Sequence, residues 1–500
     1  MDNYYSYENL NRNNSRLNLI IHFLLCLYVC IMPLIIFGRF EFVNSPIISN
    51  QDALSSGYMI DIFTHYKFFF TLLISATVFV LFFYQYFFKN IGINKSSINI
   101  LLIVFTISIC ISTLLSPNIS TSLYGFYLRS DGAITWLCYI SLFFITSQIH
   151  IQEKKVRTLF LYLIPFIFIN FVIIMLNYYN HDVLKFEPLV KILTIGIPNL
   201  FDLGEGGQLL GTLDQWNYLS GMFAMITLAL LSFSLTSTNL KMVITSSIFA
   251  SLSTLIVLLS ISTSGFLTIM CCLPLLIFII IKNKHYKHSI ITICIYLLIC
   301  TPFYIIWSQE TKAVYTESFG SIATIFNSLN TKSVTDSEIV ELDTHSILPS
   351  LPMGNLGAGS GRLYIWNNTF ELIKQRPFLG YGLDTLAYFY PQYKIDKRAH
   401  LNTEAILIDK PHNAYLGVFY GTGLIGFLCF LTLAVLVFIK LIKSIIDKNW
   451  LITPLAIFAV AYFIQAMFND SIVATTGLTF LFMGFCFNKS LNSYNKKALA

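Results

Sequence analysis

Runs of about 20 apolar residues recur along the chain, separated by short polar clusters. A run of about 20 apolar residues is what an α-helix needs to cross the hydrocarbon core of a bilayer. The composition agrees, since 56% of the 500 residues are hydrophobic and 11% are charged, against about 25% charged in soluble domains. The pattern therefore predicts an all-α integral membrane protein.

We predict about 12 transmembrane helices and one large extracytoplasmic loop that contains short amphipathic helices. The helices lie near residues 17–38, 68–88, 97–115, 133–148, 158–177, 216–236, 242–261, 265–281, 289–307, 413–439, 450–467 and 471–487. The predicted organisation is a bundle of nine helices over 1–307, the loop over 308–412, and three helices with a tail over 413–500. The first run is longer than a signal-peptide core and has no clear cleavage site, so it is expected to be a retained helix.

The orientation follows from the basic residues, because Lys and Arg in short loops stay on the cytoplasmic side. With both termini inside, every predicted cytoplasmic segment carries a base: Arg12, Arg16, Lys89, Lys95, Lys154, Lys155, Arg157, Lys241, Lys282, Lys284, Lys287, Lys440, Lys443, Lys448, Lys489, Lys496 and Lys497. The longer outer connections hold Arg39, Lys67, Arg129, Lys185 and Lys191. The predicted location is the cell inner or plasma membrane, with the large loop outside.

Several function classes fit this sequence poorly. Ion-coupled transporters and channels place charges within their spans, whereas the predicted spans hold essentially none beyond His22. All ten cysteines fall in apolar runs, where neither a disulfide framework nor a zinc site is expected. The net charge of +6 reflects topology, and nucleic acid is not a predicted partner. The chemistry is expected at the outer surface.

The large loop is polar in its first part and contains an amphipathic segment in its second part. An acidic pair at Asp336 and Glu338 is a weak candidate for a magnesium or manganese site and fits a solvated loop better. Over residues 362–375, apolar residues recur at steps of three and four, which predicts an amphipathic helix lying on the bundle. Ser360 is its expected N-cap, and Pro377 ends it.

His412 and Asn413 stand directly before the predicted tenth span. A histidine at this position can serve as a base of near-neutral pKa for a substrate at the membrane interface, although a single histidine is more often structural. Two other outer positions accompany it. Arg129 is placed where the chain re-enters the membrane, and Asn217 opens the sixth span. Their simpler explanations are a snorkelling base and a hydrogen bond between helices.

Four motifs occur in a fixed order: GRLYIW at 361–366, RPFLGYG at 376–382, PHNAYL at 411–416 and GLIG at 423–426. This set resembles the O-antigen ligase and O-antigen polymerase superfamily of bacterial glycosyltransferases, which act on lipid-linked oligosaccharides. The resemblance covers roughly residues 200–440, with GTLDQWNY at 211–218 as a weaker match. The layout of the family, a helical bundle with one large outer loop before a late helix, agrees with the topology predicted from charge.

The resemblance implies transfer of a glycan from an undecaprenyl-pyrophosphate-linked donor to an acceptor, and it assigns the motif histidine to His412 and the motif arginine to Arg362. We expect His412 to take the proton of the acceptor hydroxyl as general base, and Arg362 with Arg129 to hold the pyrophosphate. If the acceptor attacks the anomeric carbon in one displacement, the configuration at that carbon inverts. Further residues are expected to bind substrate: Arg129, Asn413, Asn217, Lys410 and Arg398. No metal ion or other cofactor is expected, because arginines can neutralise the departing pyrophosphate.

One position departs from the family pattern. Many members have Ser-Arg-Gly at an outer turn between two middle helices, whereas Ser264 stands at the place of the arginine here. One phosphate-binding charge is therefore missing from that turn. Arg129, Arg398 or Lys410 can replace it.

The residues leave the acceptor open, since a lipid, a glycan or a protein fits equally well. A polysaccharide polymerase of the same superfamily is the nearest alternative to a ligase. A flippase for lipid-linked sugars is the alternative from another class, and it should tolerate the loss of His412. A sensor would normally add a cytoplasmic output domain.

Overall fold

The structure is a computed structural model that describes residues 2–46, 56–89, 91–197, 211–260, 262–307, 312, 362–393 and 407–491. Apart from one β-hairpin and a few 3₁₀ turns, the regular elements of these residues are α-helices, so the predicted helical class is confirmed. The helices are α1 (Asp2–Ile31), α2 (His65–Phe88), α3 (Ser97–Leu114), α4 (Ile119–Tyr124), α5 (Ala133–Gln148), α6 (Glu153–Thr158), α7 (Ile164–Tyr178), α8 (Glu187–Leu193), α9 (Trp216–Thr236), α10 (Leu240–Leu259), α11 (Thr263–Asn283), α12 (Tyr286–Ile306), α13 (Arg362–Gln375), α14 (Leu386–Phe389), α15 (Ala414–Ile446), α16 (Ile452–Gln465) and α17 (Val473–Phe487).

Nine helices in the described ranges are long and apolar enough to cross a membrane. They are Arg16–Leu34, His65–Phe88, Ser97–Leu114, Glu153–Tyr178, Trp216–Thr236, Leu240–Leu259, Thr263–Asn283, Tyr286–Ile306 and Ala414–Ile446. The other three predicted spans coincide with α5, α16 and α17, which have 16, 14 and 15 residues; α16 and α17 are almost wholly buried and α5 is mostly buried. The protein is thus a multi-pass membrane protein, but the count of twelve spans is not confirmed.

Helix α9 lies at the centre of the bundle, with nearly all of its residues buried, and packs against α10, α11 and α16. Because apolar side chains gain little by leaving lipid, helix association in a membrane relies on close packing and hydrogen bonds. Ser234 Oγ of α9 lies 2.7 Å from Ser247 Oγ of α10 and 2.7 Å from Thr292 Oγ1 of α12. Gly265 of α11 faces the backbone of Ser220 so closely that a Cβ would clash. Hydroxyl groups and a glycine therefore hold this centre together.

A β-hairpin before α2 was not predicted from the sequence. Strand β1 (Arg39–Val43) pairs antiparallel with β2 (Gly57–Asp61), with Arg39 opposite Asp61. The rings of Phe40 and Tyr58 stack at a centroid distance of 4.6 Å, which is the kind of cross-strand aromatic contact that stabilises a hairpin.

The position of Lys67 differs from the prediction. Lys67 lies in the first turn of α2 and is buried, not in an outer connection.

Residues 376–385, here called the glycine turn, pack onto α15 where that helix is interrupted. The interruption is at Gly423, whose φ of 70° is not helical, and there Leu424 N donates to Pro377 O at 2.8 Å. Two more backbone hydrogen bonds join the turn to α15: Tyr381 N to Tyr420 O at 2.9 Å and Gly382 N to Gly421 O at 3.0 Å. The motifs RPFLGYG and GLIG are therefore two sides of one contact.

Replacing Gly380 by Ala is expected to destabilise the protein by about 1–3 kcal/mol. Gly380 has a φ of 68°, and a Cβ there would lie 2.6 Å from Gly421 O. Gly57→Ala is the control, because a Cβ at Gly57 meets nothing within 4 Å. Thermal unfolding of the detergent-solubilised variants measures the difference. Equal melting temperatures for the two variants would contradict this role of Gly380.

Candidate functional site

Most of the predicted site residues lie at one end of the bundle. Helices α2, α5, α9, α11, α15 and α17 begin at this end, which we call the site end. The segment before α15 contributes His412, which has a φ of 52°. A positive φ is uncommon for residues other than glycine and marks a backbone held by its surroundings. Asn413 is the N-cap of α15, and its Oδ1 accepts a hydrogen bond from Leu416 N at 3.1 Å. This cap fixes where the helix starts and hence where the His412 ring lies.

His412 is paired with a buried carboxylate. Its Nδ1 lies 2.9 Å from Asp470 Oδ2, and about a third of the His412 side chain is exposed whereas Asp470 is buried. Asp470 belongs to the turn between α16 and α17, and the hydroxyl of Tyr218 of α9 donates to the same oxygen at 3.1 Å. An imidazole held at Nδ1 by a carboxylate presents its Nε2 outward, which is the arrangement of a general base.

The charge of Asp470 is maintained by its neighbours. Burial by itself would raise the pKa of this carboxyl, but His412, Lys410 and Arg129 hold the pKa well below its usual range. Asp470 is therefore ionised at any physiological pH. A carboxylate that stays ionised stabilises the imidazolium that forms when His412 accepts a proton.

The predicted amphipathic helix is confirmed as α13, Arg362–Gln375, and it lies over the site. Its expected cap, Ser360, falls outside the described residues. Arg362 Nη1 donates to Phe468 O at 2.9 Å, and one turn later Trp366 Nε1 donates to Pro411 O at 2.7 Å. Burial lowers the pKa of Arg362, and the nearby Asp470 raises it. The helix thus brings a guanidinium to the turn that carries Asp470.

Arg129 is buried at the site end and is paired with two carboxylates. Its Nη2 lies 2.5 Å from Asp409 Oδ2, and its Nε lies 3.5 Å from Asp384 Oδ1. Burial would lower the pKa of Arg129, but Asp409 and Asp384 raise it, so the guanidinium stays charged. Asp384 Oδ2 also accepts hydrogen bonds from the backbone of Phe126 at 2.7 Å and of Asp131 at 3.3 Å.

Lys410 is buried in the same network. Its Nζ lies 3.3 Å from Asp131 Oδ2 and 3.8 Å from Asp384 Oδ1, and it donates to Ser471 O at 3.0 Å. The hydroxyl of Ser471 also donates to Asp131 Oδ2. Burial raises the pKa of Asp131 above its ordinary value, whereas Lys410 and Ser471 lower it. Arg129 and Lys410 therefore join the segments around 129–131, 384, 409–410 and 471.

Asn217 lies beside the position where the family arginine is missing. Its Oδ1 accepts from Ser262 Oγ at 2.7 Å, and its backbone carbonyl accepts from Asn469 Nδ2 at 3.1 Å. Ser264 Oγ lies 3.0 Å from Ser262 Oγ and accepts from Asn469 Nδ2 at 3.2 Å. Uncharged hydroxyl and amide groups therefore fill the place of the arginine, directly beside Asp470.

The structure brings six of the predicted site residues together at the site end: Arg129, Asn217, Arg362, Lys410, His412 and Asn413. The predicted contact of Arg398 lies outside the described residues, as does the weak metal site at Asp336 and Glu338. Within the described ranges, no group of three or more His, Cys, Asp or Glu side chains is placed to hold a metal ion.

Four carboxylates of the candidate site were not predicted from the sequence: Asp131, Asp384, Asp409 and Asp470. Each gave a signal in the sequence, because all four lie next to apolar segments, where an acidic residue needs a partner. The partner of His412 is one of these four.

A family model for O-antigen ligase matches residues 248–431, which is more than a third of the chain. The match includes α11, α13, the glycine turn and the His412 segment, whereas Arg129, Asn217 and Asp470 lie outside it. No curated protein matches the chain. The match over residues 248–431 confirms the resemblance to the O-antigen ligase superfamily, whose members are membrane glycosyltransferases of the ligase or polymerase type.

Proposed function

We propose that the protein is a ligase-like glycosyltransferase, which moves a glycan from an undecaprenyl-pyrophosphate-linked donor to an acceptor hydroxyl without a metal ion. The pairing of His412 with Asp470 carries the proposal. This pair lies at 2.9 Å on a surface where the imidazole is partly exposed. A general base of this kind has a use in glycosyl transfer, because the acceptor hydroxyl must lose its proton. Carrying a lipid-linked sugar across the membrane requires no such base.

The proposed reaction is a single displacement. The acceptor oxygen attacks the anomeric carbon while its proton passes to Nε2 of His412. The bond between that carbon and the pyrophosphate oxygen breaks on the opposite side, so the configuration inverts. Asp470 stabilises the imidazolium that results. The products are the glycosylated acceptor and undecaprenyl pyrophosphate.

Arg362 is the proposed ligand of the pyrophosphate. It stands one helical turn from Trp366 at the edge of the site, and its Nη1 donates a hydrogen bond to Phe468 O. A guanidinium offers five N–H donors in a planar fork that suits phosphate oxygens. The paired and buried states of Arg129 and Lys410 favour a role in holding the site together over direct phosphate contact. Contacts of Arg398, Asn217 and Asn413 with the substrates stay predictions.

We further propose that the site end faces outward and that both termini lie in the cytoplasm. The support comes from the charge distribution, since the connections at the other end of the bundle hold most of the bases. In this proposal, residues 1–307 and 413–500 form the membrane bundle and 308–412 the outer loop. The acceptor is a lipid, a glycan or a protein that reaches this face in the inner membrane.

Replacing Arg362 by Met is expected to reduce glycan transfer by about 10²–10³-fold, as the loss of one charged donor at a reacting group usually does. The matched control is Lys374→Met on the same helix, because Lys374 is exposed and its contacts are with Glu371 and Phe370 of that helix. Surface glycan and lipid-linked donor are quantified in cells whose other ligase and polymerase candidates are deleted, with protein levels checked in membranes. Equal transfer by the two variants would remove Arg362 from the site.

A further inference from the structure

Buried polar atoms of Trp136, Asp131 and Asp384 have no hydrogen-bond partner among the described residues. They are Nε1 of Trp136, Oδ1 of Asp131 and Oδ1 of Asp384. The cations paired with Asp384, Arg129 Nε at 3.5 Å and Lys410 Nζ at 3.8 Å, stay beyond the usual range of a hydrogen bond. Because folded proteins pair nearly all buried polar atoms with protein groups or with ordered water, these three atoms indicate a partner from outside the chain.

The same three residues line one chamber, here called the site chamber, which has a volume of about 30 Å³. A cavity needs about 10–15 Å³ to hold a water molecule, so the site chamber has room for water but not for a sugar ring. Pro411 and Asp470 also line it. The site chamber therefore adjoins the two segments that carry the His412 and Asp470 pair.

The walls of the site chamber offer both donors and acceptors. Trp136 and Lys410 bring N–H groups, whereas Asp131 and Asp384 bring carboxylate oxygens. A cation would bind the carboxylates but would face the ammonium of Lys410, which already lies 3.3 Å from Asp131 Oδ2. An anion would face both carboxylates. A water molecule suits this set, because it both donates and accepts and is usually held by about three polar groups.

We propose that the site chamber binds a resident water molecule, which accepts a hydrogen bond from Trp136 Nε1 and donates to Asp131 Oδ1 and Asp384 Oδ1. Trp136 belongs to α5, Asp131 precedes that helix, and Asp384 belongs to the glycine turn. The water thus joins α5 to the glycine turn beside Asp470. This role is structural, and it holds whichever reaction the site performs.

Electron cryo-microscopy of the full-length protein in lipid nanodiscs, at a resolution that shows ordered water, tests this directly. The expected result is a density peak in the site chamber at about 2.5–3.2 Å from Trp136 Nε1 and from Oδ1 of Asp131 and of Asp384. A second structure, in buffer with choline as the only monovalent cation, separates water from a metal cation, and the peak should persist there. Loss of the peak in choline, or an empty chamber in both buffers, would overturn the proposal.

Radiolytic footprinting checks the same point without a density map. X-ray pulses turn bound water into hydroxyl radicals, which oxidise the side chains beside it even when these are buried. Trp136 is 1% exposed, and Phe430 is a comparably buried ring at a centroid distance of 6.0 Å that does not line the site chamber. With each rate divided by that of the unfolded protein, Trp136 should be oxidised several-fold faster than Phe430. Equal rates would contradict the proposal. Neither measurement depends on glycan transfer, so this proposal and the proposed function can fail independently.

Discussion

Replacing His412 by Ala is expected to reduce glycan transfer by about 10²–10⁴-fold, which is the usual contribution of a general base. The acceptor hydroxyl then has no group to take its proton, and Asp470, buried behind the imidazole, cannot reach it. The measurement is surface glycan in cells whose own ligase and polymerase candidates are deleted. Lipid-linked donor should accumulate in the same cells.

His181→Ala is the matched control, since this histidine is exposed in the connection after α7. Asp470→Asn is expected to lose much of the same activity, because an amide keeps the shape of the carboxylate but not its charge. Full transfer by His412→Ala at normal protein level would reject the proposed base and favour the flippase alternative.

Replacing Asp384 by Ala is expected to lower the free energy of unfolding by about 3–5 kcal/mol, the range found when one partner of a buried ion pair is removed. The Asp384 side chain is fully buried, and it faces both Arg129 and Lys410. Two backbone N–H groups, of Phe126 and Asp131, also lose their acceptor. Thermal and denaturant unfolding of the purified protein in detergent measure the loss.

Glu371→Ala is the control for this prediction, because Glu371 and Lys374 form an exposed ion pair on α13. Exposed pairs contribute little, so its effect should stay within about 0.5 kcal/mol. Asp384 has a φ of 58°, a conformation that Asn also adopts readily. Asp384→Asn should therefore lose less stability than Asp384→Ala. A stable Asp384→Ala variant would show that the buried network does not hold these segments together.

Hydrophobic periodicity predicted the helices well, because lipid demands long apolar runs and polar residues end them. It was less informative about α5, α16 and α17, which are short and buried within the bundle. Helix residues that face lipid and helix residues that face protein are both apolar, so hydrophobicity alone does not distinguish them. The hairpin of Arg39–Val43 and Gly57–Asp61 was not predicted. Its two short strands are separated in the sequence, and they stabilise each other only once they pair.

The candidate site was predicted in part. Motifs singled out His412 and Arg362, and the structure places both beside Asp470; their roles stay predictions. Sequence reasoning could not supply the ion pairs, because Arg129 meets Asp384 and Asp409 only after distant segments have packed together. Local spacing carries no information about such long-range contacts.

The motif glycines show the same limit. In the sequence these glycines stand out only as part of a motif, which does not say what they contact. Gly421 and Gly423 receive the glycine turn, through backbone hydrogen bonds at the interruption of α15. Two motifs separated by about 40 residues thus describe one contact, and this contact anchors the segment that leads to Asp384.

The most direct test of the proposed chemistry uses the purified protein in lipid nanodiscs with a radiolabelled undecaprenyl-pyrophosphate-linked glycan and a hydroxyl-bearing acceptor, without added metal and with a chelator present. The released undecaprenyl pyrophosphate and the glycosylated acceptor are measured for the unchanged protein and for His412→Ala. We predict that the unchanged protein forms both products in equal amounts and that the variant forms both at least about 10²-fold more slowly. Equal product formation by both proteins would contradict the assignment of His412 as the base that drives glycan transfer.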